Sequence, residues 1–87
     1  MQIENMRKAK DPKFKTKAYF DIVTKNFKIH NCRLVMADTG RLIVMLPYRE
    51  YLSKGRKIFE TIIEFLDIDY IEAVTQEALV AFKKVDK

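Results

Sequence analysis

The chain has one histidine and one cysteine, His30 and Cys32, two residues apart. On a regular strand that spacing sends both side chains to one face, and a thiol beside an imidazole is the beginning of a nucleophilic pair. Such a pair also needs a third group to orient the imidazole and donors to hold an oxyanion, and the sequence supplies no motif for either. Two candidate ligands are too few for zinc. Gly40 and Gly55 are isolated, so no glycine-rich loop is available to cradle a phosphate. These residues imply no catalysis, no cofactor, no metal and no small-molecule substrate. His30 and Cys32 are more simply read as positions within a sheet.

The remaining chemistry is charge, and it is segregated. Arg7, Lys8, Lys10, Lys13, Lys15 and Lys17 stand against Asp11 alone, and Arg49, Lys54, Arg56 and Lys57 against Glu50 alone. From Ile58 to Phe82 there is no Lys or Arg, while Glu60, Glu64, Asp67, Asp69, Glu72 and Glu77 make that third acidic. A polyanion is drawn to the basic segments and repelled by the acidic one. Tyr48 and Tyr51 interleave with the second basic group, and rings beside cations suit bases beside phosphates. The candidate nucleic-acid contacts are Lys8, Lys10, Lys13, Lys15, Lys17, Arg49, Lys54, Arg56 and Lys57. The alternative is that the lysines keep a loop and a sheet edge soluble, and that the tyrosines lie against the core.

The elements that must position these groups centre on Thr16 to Pro47, which reads as three consecutive strands. Ala18, Phe20 and Ile22 fall at period two. Lys25-Asn26 sits where a two-residue hairpin turn belongs, since Asn tolerates the positive φ of such turns. Phe27-Lys28-Ile29 resumes the alternation. After His30-Asn31 the apolar parity moves to Cys32, Leu34 and Met36, and a change of phase inside a strand predicts a bulge. Ala37 to Gly40 is the next turn. Leu42 to Leu46 is an unbroken apolar run, which predicts a central strand covered on both faces; Pro47 ends it.

Around that centre, Gln2 to Lys8 reads as a first, edge strand, and Ala9 to Lys15 as a basic loop opened by Asp11-Pro12. Tyr48 to Lys57 reads as a polar loop turning at Gly55. Ile58 to Leu66 fits either a helix or a strand, and its β-branched and aromatic content favours a strand paired with residues 42–47. Asp69 and Glu72 form a capping pair for a last helix. Ile71, Val74, Ala78, Phe82 and Val85 give that helix an apolar stripe, and Lys83, Lys84 and Lys87 lie at its end.

With 87 residues, of which 48% are hydrophobic and 33% charged, the chain is long enough for one domain with one modest core. No apolar stretch approaches the ~20 residues of a membrane span. There is no apolar signal core near Met1, and a lone cysteine cannot close an internal disulfide. A cytoplasmic protein is the expectation.

At its central stretch the sequence resembles the SpoVG family of sporulation and septation regulators. The resemblance is carried by Ala18 to Ile22, Phe27, Ile29-His30-Asn31, Arg33-Leu34-Val35, Gly40 and Met45-Leu46-Pro47. The family pattern runs Phe-x-Val-His-Asp-Ile-Arg, then a Gly turn, then an apolar strand ending Met-Pro. Here Asn31 replaces the Asp, Cys32 replaces the Ile, and one more residue lies between Gly40 and Pro47. Ile3 to Met6 matches the first strand. With Phe59 and Phe82 at the family's spacing, Ile62 and Leu66 keep apolar positions. Glu64-Phe65 stands where the family has His-Pro, and Tyr70-Ile71 where it has Thr-Arg at the helix start.

The resemblance implies a single α+β domain over residues 1–87: a small twisted antiparallel sheet of about five strands, with a C-terminal helix packed on one face. It also implies a homodimer that binds DNA or RNA as a regulator, without catalysis. The helix start departs from that site, because Asp67, Asp69 and Glu72 compete with any phosphate there. Two functions follow: a dimeric nucleic-acid-binding regulator acting through its basic loops, or a protein-interaction module of the same fold.

Overall fold

Alternating apolar residues make a strand one-sided, and Ala18, Phe20 and Ile22 are all fully buried on one side of the sheet. A computed structural model describes residues 1–11 and 13–86. Pro12 of the expected Asp-Pro turn and Lys87 of the expected helix end lie outside the described residues. The strands are β1 (Gln2–Lys8), β2 (Thr16–Val23), β3 (Lys28–Met36), β4 (Leu42–Met45), β5 (Tyr48–Ser53) and β6 (Arg56–Thr61), followed by one helix, α1 (Ile68–Val85). The first four form an antiparallel sheet in the order β1-β2-β3-β4, and β5 and β6 form a separate two-stranded ribbon. The fold is α+β, with its strands divided four and two.

Both the edge position of β1 and the bulge in β3 agree with the sequence pattern. Between Phe20↔Cys32 and Ile22↔Ile29 the register shifts, with Asn31 at φ 61°. β1 carries a second irregularity between Glu4 and Arg7, where Asn5 takes φ 57°. The turn after β2 differs from the expected one. Val23 pairs with Lys28, so the connection spans Thr24 to Phe27, and Asn26 does not adopt a positive φ. Instead the Thr24 hydroxyl accepts the N–H groups of Asn26 at 3.3 Å and Phe27 at 3.1 Å.

The run at Leu42 to Leu46 forms the outer strand of the sheet rather than a central one. Leu42, Val44 and Leu46 pack against the core, while Ile43 is 42% exposed. β4 stays at the edge because the chain after Pro47 leaves to build its own ribbon. Tyr48 to Lys57 is therefore a hairpin, not a loop. Lys54 (φ 53°) and Gly55 (φ 79°) form its two-residue turn, and positive φ at both positions matches the right-handed twist of the flanking strands. The strand expected within Ile58 to Leu66 is present as β6, but its partner is β5, from Tyr48↔Thr61 to Ser53↔Arg56.

Asp67, rather than Asp69 with Glu72, caps α1, and its Oδ1 accepts the N–H of Asp69 at 2.9 Å. Lys83 and Lys84 complement the dipole in the last turn. Val74 and Ala78 are fully buried against the sheet and Phe82 packs beside them. Ile71 and Val85, at the ends of the stripe, are about two-fifths exposed. The helix lies on the Ala18-Phe20-Ile22 face and leaves the other face of the sheet without a helical cover. Among the described residues no helix is long and apolar enough to cross a membrane.

Candidate nucleic-acid interface

Because β2 turns its even-numbered residues to the helix, Tyr19 points the other way. Arg7 of β1 and Arg33 of β3 are its register partners on either side. The three side chains form a row across three strands, with the ring between the two cations. The Arg7 guanidinium lies 5.8 Å from the centre of the Tyr19 ring. Arg33 extends the row, its guanidinium 4.7 Å from the ring of Tyr48 at the start of β5. Alternation matters energetically: each cation meets a ring face, an attraction of ~0.5–1 kcal/mol at exposed sites, and no two guanidinium groups are adjacent. All four side chains are half-buried. With Asn31 and Glu50 they line a shallow open concavity of about 610 Å³.

The two bulges hold one end of this row. Arg7 donates Nη1 to the Asn5 carbonyl at 2.8 Å and Nη2 to Asn31 Oδ1 at 2.7 Å. Beneath them Asp21 is buried, 3% exposed. Its carboxylate accepts the Asn31 backbone N–H at 3.0 Å and the Asn5 amide at 3.5 Å. His30 Nδ1 lies 3.5 Å and Lys28 Nζ 3.9 Å from the same carboxylate. Burial pushes the Asp21 carboxyl upward, but these hydrogen bonds and charges together outweigh it and hold it below its ordinary value.

The bulge also separates His30 from Cys32. His30 keeps 67% of its side chain exposed, while Cys32 is fully buried. Burial and the nearby Asp21 charge push the thiol up to about 11. A nucleophile must be a thiolate within reach of substrate, and Cys32 is neither. No group of three metal-ligating side chains is present among the described residues.

The nine basic residues expected from sequence fall on two places. Lys8, Lys10, Lys13, Lys15 and Lys17 gather at the β1–β2 connection, which is closed by the Ala9 N–H to Lys17 carbonyl bond of 2.9 Å. Lys54, Arg56 and Lys57 sit at the tip of the β5–β6 hairpin, with Arg49 nearer its base. Several are matched by carboxylates: Lys8 with Asp86 at 2.9 Å, Lys15 with Asp38 at 3.3 Å, Arg49 with Glu60 at 2.9 Å and Lys57 with Glu50 at 3.4 Å. These pairs are exposed and weak, so a phosphate can compete for the cation. Arg49 also stacks 5.5 Å from the Tyr51 ring.

Counting charges along the chain does not find Arg7, Tyr19 and Arg33 as a unit, because they come from three strands. The parity of β2 was the available signal. It assigns Tyr19 to the face opposite Phe20, and the bulge at Asn31 then brings Arg33 into register beside it.

Comparison of the chain with protein-family models, curated proteins and solved structures found no match.

Proposed function

We propose that the chain is a small, non-catalytic nucleic-acid-binding regulator. The observation that carries this reading is the alternating row Arg7-Tyr19-Arg33-Tyr48 on the sheet face that the helix leaves open. It sets stacked rings and guanidinium planes where bases can join them, with lysines at the β1–β2 connection for phosphates. The resemblance to SpoVG regulators and the expectation of a cytoplasmic protein point the same way. Phosphate contacts dominate such binding and release counterions, so affinity falls steeply with salt. Fluorescence anisotropy of labelled DNA and RNA, titrated at low and near-physiological salt, tests the reading. Absence of binding at low salt overturns it.

A second reading, assembly through apolar surface, rests on a different observation. Ile62, Leu66 and Ile68 are 63%, 90% and 71% exposed. The segment that carries them also lines a groove of about 590 Å³ through Ile63 and Phe65, together with Val44, Leu46, Tyr48 and Phe59. Large exposed apolar side chains close in sequence to an apolar groove suit an interaction surface. The groove and the Arg-Tyr row meet at Tyr48, which lines both, so a homodimer covering the groove borders the row.

A further inference from the structure

We infer that the Arg7-Tyr19-Arg33-Tyr48 row is a stacking platform for the unpaired bases of a single strand. This rests on the nucleic-acid reading above and names its substrate class. The row runs across three neighbouring strands of the sheet and ends on Tyr48 of the β5–β6 ribbon. Its four side chains line one open concavity. Arg7 is fixed by two hydrogen bonds, at 2.8 Å and 2.7 Å, from opposite bulges. Its guanidinium is held ready to stack before any ligand arrives.

A guanidinium already lying against a ring offers a base its outer face, and the stack grows by one member. Tyr48 and Arg33 repeat the arrangement at the other end, 4.7 Å apart. The concavity that the four side chains line is shallow and open, about 610 Å³, and so can admit a base from a flexible strand. Its polar rim, Asn31 and Glu50, can meet the hydrogen-bonding edge of a base. In a duplex the π-faces are already occupied by neighbouring bases, so only an unpaired strand can use this surface. The competing mode is the β5–β6 ribbon entering the major groove of a duplex, led by Lys54 and Arg56 at its tip.

The test compares one labelled RNA sequence as a single strand, the same sequence as single-stranded DNA, and the matching DNA duplex, all at one salt concentration. The single strands carry a 2-aminopurine, whose fluorescence falls when it stacks. Expected results are at least about tenfold tighter binding of the single strands than of the duplex, and loss of 2-aminopurine fluorescence on binding. Tyr19→Leu should weaken the single strand about tenfold and Tyr19→Phe should leave it nearly unchanged. Circular dichroism of each variant reports its folding, and Arg33→Gln provides the same test should Tyr19→Leu not fold. The relative affinities of the two single strands show which polymer is preferred.

The stacking inference is overturned if the duplex binds as tightly as the single strands. It is also overturned if Tyr19→Leu has no effect while Lys54→Glu with Arg56→Glu removes binding. Either result leaves the nucleic-acid reading standing, with the hairpin as its contact. Failure of all three polymers to bind at low salt removes that reading itself.

Discussion

Arg7 donates Nη2 to the Oδ1 of Asn31 across 2.7 Å, joining the bulge of β1 to the bulge of β3 above the intervening β2. Asp21 of β2 meets the same two asparagines from below. Two irregular strands and one buried carboxylate thus form a single device, and it fixes one end of the Arg-Tyr row.

Asn31 stands at φ 61°, where a β-branched residue is strained and glycine is not. Asn31→Gly should cost about 0.5–1.5 kcal/mol, for the lost hydrogen bond to Arg7. Asn31→Val should cost about 1–2 kcal/mol more, because left-handed backbone is added to that loss. Urea unfolding of the two variants checks the order. Equal stability would show that the bulge does not need this conformation.

Asp21 gives the fold a dependence on acid. Its carboxyl is held below the ordinary value in the folded chain, so it binds its proton more readily once unfolded. The stabilisation is complete above the unfolded value, about 3.9, and is lost as pH falls through the folded value. Wild type should therefore lose stability steadily below about pH 4, and Asp21→Asn should show a flatter profile there. At neutral pH, Asp21→Ala should cost about 1–3 kcal/mol, because the partly buried Asn31 N–H loses its charged acceptor. Thermal melts across pH 2–7, a range around the carboxylate values of about 4, read both effects. Parallel profiles for wild type and Asp21→Asn would remove Asp21 from this role.

Parity made much of this fold legible in the sequence. Ala18, Phe20 and Ile22 announced the core face of β2, and the phase change at His30-Asn31 announced the bulge. A strand near β6 was expected, but β5 and its pairing with β6 were not legible, because Tyr48 to Thr61 is exposed or half-buried throughout. A strand wet on both faces has no reason to alternate. Its signal was local, in Lys54-Gly55, and Gly55 alone reads as well for a loop as for a hairpin turn. Leu42 to Leu46 misled for a different reason. An apolar run reports burial on two sides, and here part of that apolar surface remains uncovered at the sheet edge. The burial of Asp21 could not be read from spacing at all, since it depends on bulges in both neighbouring strands.

The exposed apolar residues predict self-association. Leu66, 90% exposed, and Ile68, 71% exposed, precede and open α1. Light scattering of wild type over a range of concentrations should give a dimer, and Leu66→Asp with Ile68→Asp should shift it to monomer without loss of helix. A wild type that stays monomeric at every concentration would exclude the dimer and leave these residues to a different protein partner.

The two basic clusters can be separated by salt. Each phosphate contact removed should lower the slope of log affinity against log salt by roughly one. Lys13 and Lys15 stand in the β1–β2 connection, just before the strand that carries Tyr19. Lys54 and Arg56 stand at the hairpin tip. If a strand lies along the Arg-Tyr row and leaves past the β1–β2 connection, Lys13→Gln with Lys15→Gln should weaken binding and flatten the slope by about two. Lys54→Gln with Arg56→Gln should then change neither. Lys15 must exchange its exposed contact with Asp38 for a phosphate, a small cost for a pair so open to solvent. Anisotropy titrations at four or more salt concentrations decide between the paths, and the reverse pattern would place the strand along the hairpin.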